Sequence, residues 1–158
     1  MKRKTKKKIG WKTLILSLIV VYIVAAIGSL FTSNNTNTQW YNSIRPSITP
    51  PNWVFPIVWN ILFFLIALSL YCAWIKSKNK KPIIFAFGIN FILNILWSFL
   101  YFHLKNPLLA FIDIILLIIS IIIMILITYK INKKSSYLLV PYLLWVLFAS
   151  VLNYLSIK

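Results

Sequence analysis

Acidic side chains are almost missing: Asp113 stands alone, with no glutamate beside it, against 17 lysines and arginines. One histidine, His103, one cysteine, Cys72, and three glycines complete the shortages. No two carboxylates can share acid and base work, no His/Cys/Asp group approaches metal-ligand spacing, and no glycine-rich loop can cradle a phosphate. The usual chemistries of hydrolysis, phosphoryl transfer and zinc catalysis are therefore excluded within one chain. A lone cysteine also rules out an intrachain disulfide.

Apolar residues are what the chain has in excess. They make up 61% of its 158 residues, with a mean hydropathy of +0.86, where a soluble domain holds roughly 45–50%. Long apolar runs cover about 13–31, 53–75, 83–104, 108–129 and 137–157. Each is near the ~20 residues that cross a bilayer as a helix, and each is too continuous for an alternating barrel strand. The sequence predicts an all-α integral membrane protein: a five-transmembrane-helix bundle over 13–158 behind a basic arm, 1–12. Pro50, Pro51, Pro56, Pro82, Pro107 and Pro141 stand where spans begin, positions at which the missing amide is tolerated. Residues 1–31 also have the order of a signal peptide, but the apolar core Thr13–Phe31 exceeds the usual ~7–15 residues and reads as the first span.

The formal charge of +16 suggests nucleic acid until its distribution is read. Fourteen of the 17 basic residues lie before the first span, between the second and third, or between the fourth and fifth. Arg45, Lys105 and Lys158 alone take the opposite side. This is the positive-inside pattern, and it predicts a multi-pass cell-membrane protein with a cytoplasmic N-terminus and an external C-terminus. The arm MKRKTKKK suits anionic lipid headgroups, at about 1 kcal/mol per charge, rather than nucleic acid.

Amides and aromatics recur at helical spacing. Asn90, Asn94, Trp97, Ser98 and Tyr101 share a face of the third span; Tyr142, Trp145, Ala149 and Asn153 share one on the fifth; Trp59, Asn60 and Phe63 lie together on the second. Amides avoid lipid, so these faces are expected to meet inside the bundle. Asparagines that only glue helices, at ~0.6 kcal/mol per bond, and tryptophans that only belt the headgroups give the plainer account. Trp11 and Trp74 fit that belt. Indole, phenol and amide on one inward stripe also match a small-molecule pocket. Asp113 is expected to bond a polar neighbour within the bundle, and His103 to face the interface.

Several blocks carry a family likeness: Trp40–Tyr41, RPS at Arg45, PPNWVF ending at Phe55, Val58–Trp59, LNILWS around Asn94 and Trp97, PLLAFIDIILL around Asp113, and PYLLWVLFASVLN from Pro141. In order and in kind they resemble the tryptophan-rich sensory protein family, the TspO or translocator proteins, whose mitochondrial members are called peripheral benzodiazepine receptors. The resemblance implies a usually dimeric five-helix bundle whose pocket opens toward the 32–51 loop, its lid. It implies porphyrin, protoporphyrin IX or haem, as ligand, with no cofactor required. Trp59 and Trp145 match tryptophans tied in relatives to porphyrin contact and to light-dependent porphyrin breakdown. Trp40, Tyr41, Trp53, Asn94, Tyr142, Phe148 and Ala149 match positions that line or roof the pocket.

Asn60 and Asn90 depart from the residues common in relatives and would reshape that pocket. Arg45, the one cation of the lid loop, suits porphyrin propionates. The C-terminal LNYLSIK fits a cholesterol-recognition pattern that matches greasy chains by chance. Three classes follow: a tetrapyrrole receptor or sensor, a light-dependent porphyrin-degrading protein, and a tetrapyrrole or small-lipid transporter. Receptor leads, because five spans do not divide into equal inverted halves and the acid–base inventory is nearly empty.

Overall fold

The computed structural model describes residues 10–33 and 35–157. Most of the basic arm, together with Asn34 and Lys158, lies outside the described residues. The described residues form seven α-helices in order: α1 (Trp11–Thr32), α2 (Gln39–Ile44), α3 (Val54–Lys76), α4 (Lys81–Ser98), α5 (Pro107–Ile131), α6 (Lys133–Tyr137) and α7 (Val140–Leu155). A π-helical turn, Phe99–His103, extends α4. Among the described residues five segments are long and apolar enough to span: α1, α3, α4 with its π turn, α5, and α6 with α7. The protein is a five-helix membrane bundle, with boundaries close to those read from hydropathy.

The starts of the spans have local causes. Pro82, Pro107 and Pro141 occupy first-turn positions of α4, α5 and α7, where a missing N–H costs no helical bond. Asn106 caps α5 by accepting from the Leu109 amide at 3.0 Å. Before it, Lys105 takes φ 51°, a left-handed conformation that turns the chain sharply between α4 and α5.

Two connections differ from the sequence reading. The 32–51 segment holds α2, started by Thr38, whose hydroxyl accepts from the Tyr41 amide at 3.3 Å. The KINKKSS stretch is helical beyond Asn132, and that residue's side chain caps α6 through the Lys134 amide.

Around the bundle the order is α1, α4, α5, α7, α3, with α3 returning to α1. The seams α1–α3, α4–α5 and α5–α7 are extensive, whereas α3 and α7 meet sparingly. The main core runs through Val21, Leu62, Ile66, Phe87, Ile114, Ile121, Met124, Tyr142 and Val146. A second cluster of Tyr41, Tyr101, Phe102 and Ala110 closes the end beneath α2, hereafter the lid end. The opposite, basic end carries Lys76–Lys81 and Lys130–Lys134.

Candidate functional site

A ladder of side-chain hydrogen bonds climbs the bundle interior from its middle to the lid end. At its foot the Asn90 amide donates to Ser120 Oγ at 2.8 Å, and Asn90 Oδ1 accepts from the Tyr142 hydroxyl at 3.3 Å. Asn94 Nδ2 donates to the same Tyr142 oxygen at 3.1 Å. One turn higher, Trp97 Nε1 donates to Asn153 Oδ1 at 2.9 Å, while Asn153 Nδ2 donates to the Pro107 carbonyl at 2.8 Å. Tyr101 ends the ladder on Ser156 Oγ at 2.8 Å. Asn90, Asn94, Tyr142 and Asn153 are buried, so each amide has exchanged lipid for a partner, at about 0.6 kcal/mol per bond.

Aromatic rings flank the ladder. Trp59 stacks on Phe63 at 5.3 Å and meets Tyr142 edge-on at 6.2 Å. Trp145 lies between Phe55 at 5.9 Å and Phe148 at 5.6 Å. Trp97 stacks on Tyr101 at 5.2 Å, and Trp40 of α2 meets Tyr101 at 5.9 Å. Tyr41 rests on Phe102, with the Arg45 guanidinium 5.9 Å from its ring. Burial pushes the Tyr41 phenol above its ordinary range, against the pull of Arg45. Arg45 itself donates to the carbonyls of Pro50 at 2.7 Å and Thr49 at 3.4 Å, and so ties the loop back on itself.

The structure thus brings Asn90, Asn94, Trp97, Tyr142, Trp59, Trp145 and Phe148 onto one interior surface, with Ala149 packed against the same core. Trp40, Tyr41 and Arg45 form the lid above it. Trp53 stands apart, 66% exposed at the N-cap of α3. Asn60 does not turn inward as its grouping with Trp59 suggested. It lies 100° around the helix from Trp59, is exposed, and donates to its own helix at Pro56. Ser98 leaves the shared face too, sitting over Gly28 of α1.

Asp113 is buried, 3% exposed, and both carboxyl oxygens lack a hydrogen-bond partner among the described residues, so the polar neighbour expected for it is not there. His103 is exposed and stacks on Phe99 at 5.1 Å.

Sequence spacing missed three groups. Ser120 supports Asn90, and Ser156 holds Tyr101. At the basic end, Ser69 and Ser135 donate to each other's backbone carbonyls at 2.8 and 2.7 Å. A serine in an apolar run looks alike whether it bonds its own helix or another. Only the buried amides announced themselves.

Two open volumes border these elements. One of about 300 Å³ lies at the lid end among Trp40, Ile44, Lys105, Asn106, Pro107, Leu108, Ser156 and Ile157. Another of about 380 Å³ follows the sparse α3–α7 seam, along Val58, Ile61, Leu62, Pro141, Leu144 and Trp145. Both are open grooves on the surface of the bundle rather than enclosed cavities.

Comparison with known proteins points one way. A model of the TspO/MBR family matches residues 16–157. The chain is 43% identical to the tryptophan-rich protein TspO of Archaeoglobus fulgidus, over 89% of this chain and 92% of that one. It is 28% identical to the human translocator protein over 81% and 78% of the two chains. To the tryptophan-rich sensory protein of Cereibacter sphaeroides it is 26% identical over 76% of each.

Proposed function

The chain belongs to the TspO/MBR family, and from that premise we propose that it is a cell-membrane receptor or sensor that binds porphyrin or haem-type tetrapyrroles among α3, α4, α5 and α7. One observation carries the reading: a buried amide ladder flanked by Trp59, Tyr142, Trp145 and Phe148, roofed by a lid with one cation. Flat aromatic ligands are held by such walls, and a few fixed polar groups set their orientation. No histidine or cysteine joins the ladder among the described residues, so the macrocycle's plane and edge, rather than an iron ligand, offer the handles.

The basic end faces the cytoplasm in this reading, the lid end faces outward, and the protein works as a homodimer. Reporters fused within Lys76–Lys81 then read cytoplasmic, and one within Thr36–Asn37 external; the reverse result would overturn the orientation alone.

Light-dependent degradation is the second reading, favoured by one feature. The buried indole N–H of Trp145 has no partner among the described residues and lies in the same aromatic wall as Trp59. Transport is less well supported, because reciprocal serine bonds tie α3 to α6 at the basic end.

The deciding experiment titrates protoporphyrin IX into the purified protein, in the dark and under light, following tryptophan fluorescence and porphyrin absorbance. Dark quenching with bleaching no faster than free porphyrin supports the receptor. Faster bleaching that disappears in a Trp59→Phe, Trp145→Phe double variant supports degradation. Absence of quenching overturns both.

A further inference from the structure

Two buried polar groups on adjacent spans have no hydrogen-bond partner among the described residues: both carboxyl oxygens of Asp113 on α5 and the indole N–H of Trp145 on α7. The bond from Asn153 to the Pro107 carbonyl fixes the relative height of these antiparallel helices. At 1.5 Å per residue, Asp113 lies about 9 Å and Trp145 about 12 Å from that bond toward the middle of the bundle. The two orphans therefore stand at nearly one depth.

They are also complementary: an ionised carboxyl group accepts at both oxygens, and the indole N–H can only donate. A carboxyl group left without a donor inside a lipid-solvated bundle is costly, and such residues mark ligand or ion paths. Tyr142, within electrostatic reach of Asp113, cannot relieve it, because its hydroxyl proton is given to Asn90 and its oxygen is occupied by Asn94.

We infer that Asp113 and Trp145 together recognise a ligand edge carrying N–H donors and a carbonyl acceptor, and so select an open-chain tetrapyrrole over the closed porphyrin macrocycle. The inference rests on the tetrapyrrole reading above and narrows it. A closed macrocycle keeps its N–H groups at the centre of the ring and shows a C–H rim. Opening the ring turns pyrrole N–H groups to an edge and places lactam carbonyls at the ends. That edge supplies donors for the carboxyl group and an acceptor for the indole, while the conjugated plane still lies against the Trp59, Phe63 and Phe148 rings. Both orphan groups are closed from solvent, so the ligand reaches them as the half-buried Phe148 ring beside Trp145 turns aside.

The test compares biliverdin dimethyl ester with protoporphyrin dimethyl ester, which removes the carboxylates of both and leaves ring opening as the difference. Affinities are read by tryptophan quenching in the wild type, Asp113→Asn, Asp113→Leu and Trp145→Phe. Two added hydrogen bonds should favour the open chain at least about tenfold in the wild type. Asp113→Leu should remove most of that preference without weakening the porphyrin ester, Trp145→Phe should remove the indole's smaller share of it, and Asp113→Asn, which keeps the shape, should fall between wild type and Asp113→Leu. Equal wild-type affinities, or a ratio unchanged in Asp113→Leu, overturn the selectivity while leaving the receptor standing. If neither ester nor protoporphyrin itself quenches, the receptor reading falls, and this inference with it.

Discussion

The basic end and the lid end of the bundle are closed by different forces. At the basic end the closure is directional: Ser69 and Ser135 exchange bonds to each other's carbonyls, and Asn132 bonds the Cys72 carbonyl while accepting from Lys76. Lys80 donates to the Trp74 and Ser77 carbonyls and covers the Trp74 ring. At the lid end the last bonds of the ladder join the spans, Tyr101 to Ser156 and Asn153 to the Pro107 carbonyl, but α2 rests on them through a pile of rings: Trp40 on Tyr101 and Tyr41 on Phe102, with Trp97 against both Tyr101 and Phe102. A hydrogen bond fails within a fraction of an ångström, whereas offset rings keep most of their contact as they slide. The spans are therefore pinned at the basic end, whereas α2 at the lid end can slide on its rings, and ligands are expected to exchange beneath α2.

The largest effect should come from unpinning. Ser69→Ala with Ser135→Ala removes the two reciprocal bonds between α3 and α6, at about 1–3 kcal/mol of stability together. Unfolding in detergent should show this, while protoporphyrin affinity stays within about twofold, since no ladder residue is touched. A large affinity loss at unchanged stability would make the basic end part of the site and dissolve the contrast between the ends.

Next comes the lid. Arg45→Gln frees the Pro50 carbonyl and removes the cation of the lid loop, weakening protoporphyrin by about 1 kcal/mol, the net scale of one hydrogen bond. Its dimethyl ester should lose less. Equal losses would show that Arg45 only orders the loop.

The smallest effect tests the ladder between the ends. Trp97→Phe keeps the ring on Tyr101 and drops one bond to Asn153, so about 0.6 kcal/mol should vanish from stability. A drop several times greater would mean that Asn153 also loses its hold on Pro107, and that the lid end is pinned after all.

The bundle was readable because lipid imposes it: apolar length marks each span, and proline and lysine mark the breaks. The ladder was half readable. Asn90, Asn94, Tyr142 and Asn153 gave themselves away because an amide or phenol in a span needs a partner. Asn60 misled, because an amide near a helix start can return to its own backbone, and adjacency to Trp59 says nothing of direction. The serine lock gave no signal, since serine is small enough to satisfy itself within a helix, as Ser17 does on Thr13. The α2 helix was hidden in a polar stretch whose composition reads as loop, although Thr38 is a fitting cap. Asp113 ran the other way: its type promised a partner, and the fold supplies none.

The π turn at the head of α4 closes through the Leu104 amide to the Phe99 carbonyl at 2.9 Å, a loop one residue wider than an α turn. Within it, consecutive Tyr101 and Phe102 are both buried and His103 is turned outward. Removing a single codon from this turn would act on the fold as a rotation, not as a loss of material. With α geometry restored, the side chains beyond the deletion would swing by about 100° relative to those before it, and the imidazole would be carried toward the place the Phe102 ring now fills. In the language of coding, the lid end is where the reading frame of side-chain direction is set, and there one residue more or less decides whether the site is capped by a ring or by a base.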